Sequence, residues 1–197
     1  TARGAKLSPL HTRLVEHGAY LRDVSGWESA DWYAGPAAAP DGGPLTWGRP
    51  SWWAQWAAEH RACREAVVLM DMSFMSKFRV QGRDAGGVLD RMSGNSVNGA
   101  SGQITYTQWL NERGTLEADL TVTKLADDSF LVVATDTAHR HVESQLSRAC
   151  GLGGHAFVTD VTGAYAQLNV QGPRSRELLQ SLTTADLSND ALPFRAA

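Results

Sequence analysis

The stretch from residue 104 to residue 125 constrains the fold more than any other part of this chain. Its sequence, ITYTQWLNERGTLEADLTVTKL, alternates apolar and polar residues on both sides of residues 111–114. Alternation with a period of two is typical of strands, and Gly114 can adopt the positive φ that a tight turn requires. The pattern therefore predicts a β-hairpin, two antiparallel strands joined by a turn.

Asp119 is the unusual residue of this hairpin, at the start of the second predicted strand. Strands are depleted in aspartate, and a half-buried carboxylate must receive hydrogen bonds or carry a desolvation cost. Two interpretations follow from the residues alone. Asp119 is either a solvated acid at a strand start or a carboxylate with a function.

Composition and charge exclude some classes of partner. The chain has 197 residues, 43% of them hydrophobic, which is enough for a substantial core in one domain or two small lobes. A net charge of -3 offers no electrostatic basis for binding nucleic acid or an anionic membrane surface, so we expect a small-molecule partner. No apolar run long enough for a bilayer span and no secretion signal are visible. We expect a cytoplasmic location, or the mitochondrial matrix in a eukaryote.

The two cysteines, Cys63 and Cys150, fit neither a metal-ligand spacing nor a secreted disulfide framework. We expect both to be small buried hydrophobic residues. No histidine pair lies at a spacing that favours joint metal ligation, since His139 and His141 face different directions on a helix. The sequence therefore predicts no metal site.

Apolar spacing and turn residues predict the remaining elements. From residue 76 they occur in the order strand, helix, three strands, helix, two strands and helix. This order is typical of an α+β fold whose antiparallel sheet is covered by helices on one face, with a ferredoxin-like β-α-β-β-α-β rhythm. We expect two segments: residues 1–67, with a helix, a strand and a Pro/Gly-rich loop, and residues 68–197, an α+β lobe.

Two local expectations accompany this pattern. Residues 25–33, SGWESADWY, crowd three aromatic side chains around a turn, and we expect an irregular segment that either plugs one end of a core, which is the favoured interpretation, or lines a contact surface. Asp84 precedes the helix predicted over residues 84–94, where an aspartate side chain typically caps the first N–H groups.

Four blocks of the sequence, in order, resemble one known family. They are residues 8–33, 64–92, 106–125 and 158–179, which together cover about half of the chain. The chain resembles the N-terminal part of the folate-binding aminomethyltransferases, the glycine-cleavage T-protein superfamily. It is most similar to the folate domain of dimethylglycine and sarcosine dehydrogenases and oxidases.

The resemblance implies a reaction and a catalytic acid. Members of the family transfer a one-carbon (methylene) unit from a demethylated amine, as an iminium or aminomethyl donor, to tetrahydrofolate. The acid that closes the family motif Asn-Glu-x-Gly-x-x-x-x-Asp is the catalytic carboxylate, and Asp119 occupies that position. Glycine-cleavage proteins often carry a second acid just before it, where this chain has Ala118.

The resemblance also implies a folate pocket and a flavin partner. Carried over residue by residue, the pocket is lined by Met75, Tyr106, Leu131 and Val133. FAD is expected only on a separate flavoprotein domain or subunit absent from this chain. The methylated amine is the other expected small molecule.

The chain departs from the family in length. The motif Tyr-x-Gly-Glu-x-Gly, which supplies further folate contacts, has no counterpart before Ala197, and both ends look cut. We therefore expect a piece that holds the catalytic acid but not the whole pocket. The alternatives are a non-catalytic folate-binding module, an iron-sulfur assembly factor of the same fold, and a stand-alone subunit of a split oxidase.

Overall fold

A computed structural model describes residues 3–36, 39–152 and 154–197. In chain order, its helices and strands are α1 His11–Glu16, β1 Ala19–Val24, β2 Trp27–Tyr33, α2 Trp53–Glu65, β3 Val68–Asp71, β4 Ser76–Gln81, α3 Ala85–Met92, β5 Ile104–Leu110, β6 Leu116–Ala126, β7 Ser129–Ala134, α4 His139–Cys150, β8 Phe157–Asp160, β9 Leu168–Gln171 and α5 Ser175–Gln180. A short 3₁₀ turn, Asp136–Ala138, precedes α4. Among the residues described, no helix is both long and apolar enough to cross a membrane.

The chain folds into two compact units. Unit 1 comprises Thr1–Phe74 and Ala166–Leu187, and unit 2 comprises Met75–Tyr165 and Ser188–Ala197. These units differ from the segments 1–67 and 68–197 that the sequence suggested. The physical reason is that β3 pairs with β9, which draws a late part of the chain into the first unit.

Unit 2 is built around a five-stranded sheet with the order β5-β6-β7-β4-β8, in which every neighbouring pair is antiparallel. Strand β7 lies between β4 and β6, which is the split β-α-β arrangement of the ferredoxin-like pattern. Strand β5 extends that pattern at one edge. The prediction of an α+β fold with antiparallel sheets and packed helices is therefore confirmed.

Helices α3 and α4 pack on one face of this sheet. The core there consists of alternate strand residues and the apolar faces of both helices: Phe78, Val80, Val88, Leu89, Leu120, Val122, Phe130, Val132, Val142 and Leu146, each at most 3% exposed. Because side chains alternate along a strand, the residues between these core positions lie on the other face of the sheet. We call that other side the open face.

The predicted hairpin is present as β5 and β6. Gly114 adopts a φ of +75°, as a tight turn requires, and the Asn111 side chain accepts hydrogen bonds from the N–H groups of Arg113 and Thr115. Asp119 is the fourth residue of β6 rather than its first, because the strand begins at Leu116. Its position is therefore inside the sheet and not at a frayed strand end.

Two local expectations were wrong. Residues 27–33 are not irregular, since they form β2 and pair with β1 across a turn at Ser25 and Gly26, both at positive φ. Asp84 does not cap α3 with its side chain, because its carboxylate instead accepts the N–H of His155 at 2.6 Å. That contact ties the start of α3 to the segment before β8.

Candidate functional site

Four of the five residues predicted for the site lie on the open face of unit 2. The strand register pairs Tyr106 of β5 with Thr121 of β6, and Thr121 in turn with Val133 of β7. Leu131 lies two residues before Val133 and therefore on the same side of β7. Asp119 lies two residues before Thr121 on β6, so it also points to this face.

The hydroxyl group of Tyr106 donates a hydrogen bond to Oδ2 of Asp119 at 2.8 Å. The two residues are diagonal neighbours, because the direct partner of Asp119 in the ladder is Gln108. The pKa of Tyr106 is raised, first because its proton is shared with the Asp119 carboxylate, while a hydrogen bond with Gln108 lowers it. The structure therefore brings the predicted catalytic acid into contact with a predicted pocket residue.

Asp119 is exposed rather than half-buried, and Tyr106 is 43% exposed. A half-buried carboxylate in a strand would carry the desolvation cost that burial brings. The structure removes that cost, since solvent and Tyr106 both reach the carboxylate. A solvent-exposed carboxylate can accept a proton or a hydrogen bond from a ligand.

An apolar strip adjoins the acid. Leu131 and Val133 are half-buried even though they lie opposite the helix-covered core. Met75, also half-buried, comes immediately before β4, whose first ladder pair joins Ser76 to Ala134. Aliphatic, thioether and aromatic side chains are the groups that line pockets for flat ligands. The open face thus combines such a surface with one carboxylate.

Sequence reasoning missed two polar residues at this face. Gln108 is the ladder partner of Asp119 and contacts Tyr106. Lys77 pairs with Val133, is only 3% exposed, and donates from Nζ to the carbonyl oxygen of Met75 at 2.7 Å. The alternation in residues 76–81 predicts the strand and places lysine and arginine opposite Phe78 and Val80, but it does not indicate which face of the sheet carries each set.

Histidines and acids elsewhere in unit 2 form pairs rather than clusters. His139 lies between Ser76 and Asp160, with Nδ1 at 2.9 Å from the serine oxygen and Nε2 at 3.2 Å from a carboxylate oxygen. Ser76 is fully buried, so its hydroxyl group is closed to a substrate. Across the described ranges, no three side chains of the His, Cys, Asp and Glu types are grouped to hold a metal ion.

Comparison with models of protein families identifies the family of this chain. The family model described as "GCVT N-terminal domain" matches residues 10–197, nearly the whole chain. The chain belongs to the GCVT N-terminal domain family. The family resemblance recognised in the sequence blocks is confirmed.

Individual curated proteins are similar to this chain along almost its whole length. A 4-methylaminobutanoate oxidase (formaldehyde-forming) of Paenarthrobacter nicotinovorans is 39% identical over 191 residues, covering 97% of this chain and 23% of the oxidase. The mitochondrial sarcosine dehydrogenase of Mus musculus is 29% identical, covering 98% of this chain and 25% of the dehydrogenase. The chain thus spans about a quarter of the length of these curated relatives.

A solved structure agrees at the level of the fold. The glycine cleavage system aminomethyltransferase T from Bartonella henselae superimposes with a TM-score of 0.77 at 23% identity, covering 97% of this chain and 46% of that protein. This GCVT-family domain therefore has the fold of the N-terminal part of an aminomethyltransferase, and its curated relatives include amine-oxidising enzymes.

Proposed function

We propose that this domain takes part in the transfer of a one-carbon unit from a demethylated amine to tetrahydrofolate, with Asp119 as the catalytic carboxylate. The observation that carries the proposal is the contact between Asp119 and Tyr106 on a face that also holds an apolar strip. Membership of the GCVT N-terminal domain family supports it, as do relatives that oxidise methylated amines by name.

The chemistry requires a proton acceptor. When one folate amine attacks the methylene carbon of an iminium donor, a C–N bond forms, the π-electron pair moves to the donor nitrogen, and the attacking nitrogen must lose a proton. The bond from that carbon to the donor nitrogen then breaks, the donor leaves as an amine that has taken up a proton, and the second folate amine closes the ring with loss of its own proton. Asp119 is a suitable acceptor for the proton of the attacking nitrogen, because its carboxylate is exposed and lies beside a positioned hydroxyl group. General-base catalysis of this kind contributes roughly 10²–10⁴-fold in rate.

The open face fits a folate. The pterin ring of a folate is flat, and the faces of such rings pack against aromatic and aliphatic side chains. Tyr106 and Val133 occupy one transverse row of the sheet, and Leu131 lies on the next row in the direction away from Asp119. Adjacent rows on one face are about 7 Å apart along the strands, so a ring system several ångströms long spans them with its reacting end near the acid.

The same proposal includes a flavin partner, an amine donor and a cellular location. The oxidation that generates the one-carbon unit requires an electron acceptor, and we assign that role to a flavin on a separate domain or subunit. A methylated amine of the sarcosine or dimethylglycine type is the proposed donor. We place the reaction in the bacterial cytoplasm or, in a eukaryote, in the mitochondrial matrix.

Calorimetry with folinic acid and a turnover assay test the proposal together. In the native protein that carries this domain, we expect folinic acid to bind and methylated-amine turnover to yield 5,10-methylenetetrahydrofolate. Asp119→Asn should retain binding and lower the formation of this product by about 10²-fold or more. Asp128→Asn, in the exposed turn between β6 and β7, is the matched control and should change neither.

Two outcomes would contradict the proposal. Absence of folinic acid binding would exclude the folate site. Binding with product formation unchanged in Asp119→Asn would exclude the catalytic role and favour a non-catalytic folate-binding module. Co-purification with a flavoprotein chain would identify a split oxidase rather than a fused one.

A further inference from the structure

The side chains of Tyr106 and Asp119 are in contact although the strand ladder does not pair these two residues directly. Tyr106 pairs with Thr121, and Asp119 pairs with Gln108, so the two side chains are diagonal neighbours. Diagonal positions lie roughly 7–8 Å apart, which only a long side chain can span. The phenol spans that gap and brings its hydroxyl oxygen to 2.8 Å from the carboxylate.

The contact engages one carboxylate oxygen. Oδ2 of Asp119 accepts the hydrogen bond from Tyr106, whereas no donor within residues 3–36, 39–152 and 154–197 is bound to Oδ1. An exposed aspartate side chain without a partner samples several rotamers, and a hydrogen bond from a two-torsion aromatic residue restricts them. The restriction fixes where the second oxygen lies.

We propose that Tyr106 is a positioning residue for Asp119, holding Oδ2 through its hydroxyl group so that Oδ1 faces the substrate nitrogen. This inference rests on the proposed function. It separates two contributions of one side chain: the ring packs on the folate, and the hydroxyl group orients the acid. Removing only the hydroxyl group should therefore affect the chemical step and spare binding.

Gln108 is the third member of this group. It lies directly opposite Asp119 in the ladder, and its hydrogen bond with Tyr106 lowers the pKa of the tyrosine, whereas the Asp119 carboxylate raises it. Gln108 therefore lies beside both the phenol and the carboxylate on the face that carries Asp119.

Kinetics of four variants test the positioning role: two single substitutions of Tyr106, Asp119→Asn, and a double variant. Tyr106→Phe should lower kcat about tenfold and leave the KM for tetrahydrofolate within about twofold. Tyr106→Leu, which also removes the ring, should raise that KM. In an Asp119→Asn background, Tyr106→Phe should change kcat by less than about twofold, because the group that it positions is gone. Equal losses of kcat in both backgrounds would overturn the proposal.

A measurement without folate keeps this test separate from the proposed function. In protein labelled with ¹³C in its tyrosine rings, Tyr106 is identified by the signal lost in Tyr106→Phe. Asp119→Asn should lower the pH at which Tyr106 ionises, and Asp128→Asn should leave it unchanged. An ionisation pH that Asp119→Asn does not lower overturns the contact itself. Absence of all folate-dependent turnover, with the ionisation shift present, overturns the proposed function instead.

Discussion

Arg3 binds the carboxylate of Glu28 at both oxygens, with Nε at 2.8 Å from Oε1 and a terminal guanidinium nitrogen at 2.6 Å from Oε2. The N–H of Gly4 donates to Oε1 at 2.7 Å. These donors, Arg3 foremost, lower the pKa of Glu28 from 4.5 to about 2. The pair fastens the N-terminal segment to β2 within unit 1.

The lowered pKa of Glu28 predicts a dependence of stability on pH. Because the folded-state pKa lies below the unfolded value, the contribution is fully present above pH 4.5 and is lost as the pH falls toward about 2. Thermal unfolding followed by circular dichroism should show Tm falling across this window. Glu28→Gln should reduce the slope, and Glu112→Gln, in the exposed hairpin turn, should leave it as in the wild type. Equal slopes in both variants would contradict the assignment.

The turn between β4 and α3 requires glycine at residue 82. Gly82 has a φ of +125°, and a Cβ there would lie 2.1 Å from the carbonyl oxygen of His155. Gly82→Ala should therefore lower the free energy of unfolding by about 3 kcal/mol or more, through backbone strain and steric overlap. Urea unfolding of the purified variant measures this loss.

Gly87, five residues further along the chain, is the matched control. It lies inside α3, and a Cβ there meets only the guanidinium end of Arg91 at 3.6 Å. Gly87→Ala should raise the free energy of unfolding by about 0.5–1 kcal/mol, because alanine loses less backbone entropy in a helix. Destabilisation by both substitutions to the same extent would refute the special geometry of Gly82.

Leu146 tests the packing of α4 on the sheet. It is fully buried in the core of unit 2, and its truncation to alanine leaves a cavity among well-packed neighbours. We expect Leu146→Ala to lower the free energy of unfolding by about 2–5 kcal/mol. Leu152→Ala, at a side chain that is 86% exposed, should change it by less than about 0.5 kcal/mol. Chemical denaturation of both variants compares them directly.

The hairpin shows what local sequence could establish. Its period-two alternation and Gly114 determine the pairing of β5 and β6, because each face of a strand and each turn position restricts residue type locally. The residues around Trp27 show where a local pattern is insufficient. Their aromatic crowding favours an irregular plug, yet the same side chains are compatible with a strand when β1 lies beside them.

The site required information that local sequence does not contain. Alternation places Tyr106 and Asp119 on one face only after the register of β5 and β6 is known, and Lys77 joins that face only through the pairing of β4 with β7. The family resemblance indicates which residues form the site, and the strand register determines which residues lie next to them. Asp84 failed as a cap for a related reason, because His155, 71 residues later, provides a competing N–H group.

Two neighbouring valines on β7 test the assignment of the open face. Val132 is fully buried under the helices, whereas Val133 is half-buried on the side that carries Asp119. Val132→Ser should lower the free energy of unfolding by about 3 kcal/mol, since it opens a cavity and buries a hydroxyl group. Val133→Ser should lower it by less than about 1 kcal/mol, because water reaches the new hydroxyl group.

Of these two variants, the one with the smaller loss of stability should show the larger loss of folinic acid binding. Val133→Ser should weaken the binding of folinic acid about tenfold, since it removes apolar contact from the surface proposed for the pterin. Val132→Ser, measured by calorimetry under conditions where it remains folded, should bind with wild-type affinity. A Val133→Ser variant that binds as tightly as the wild type would show that the pterin packs elsewhere than on the row that joins Tyr106 to Val133.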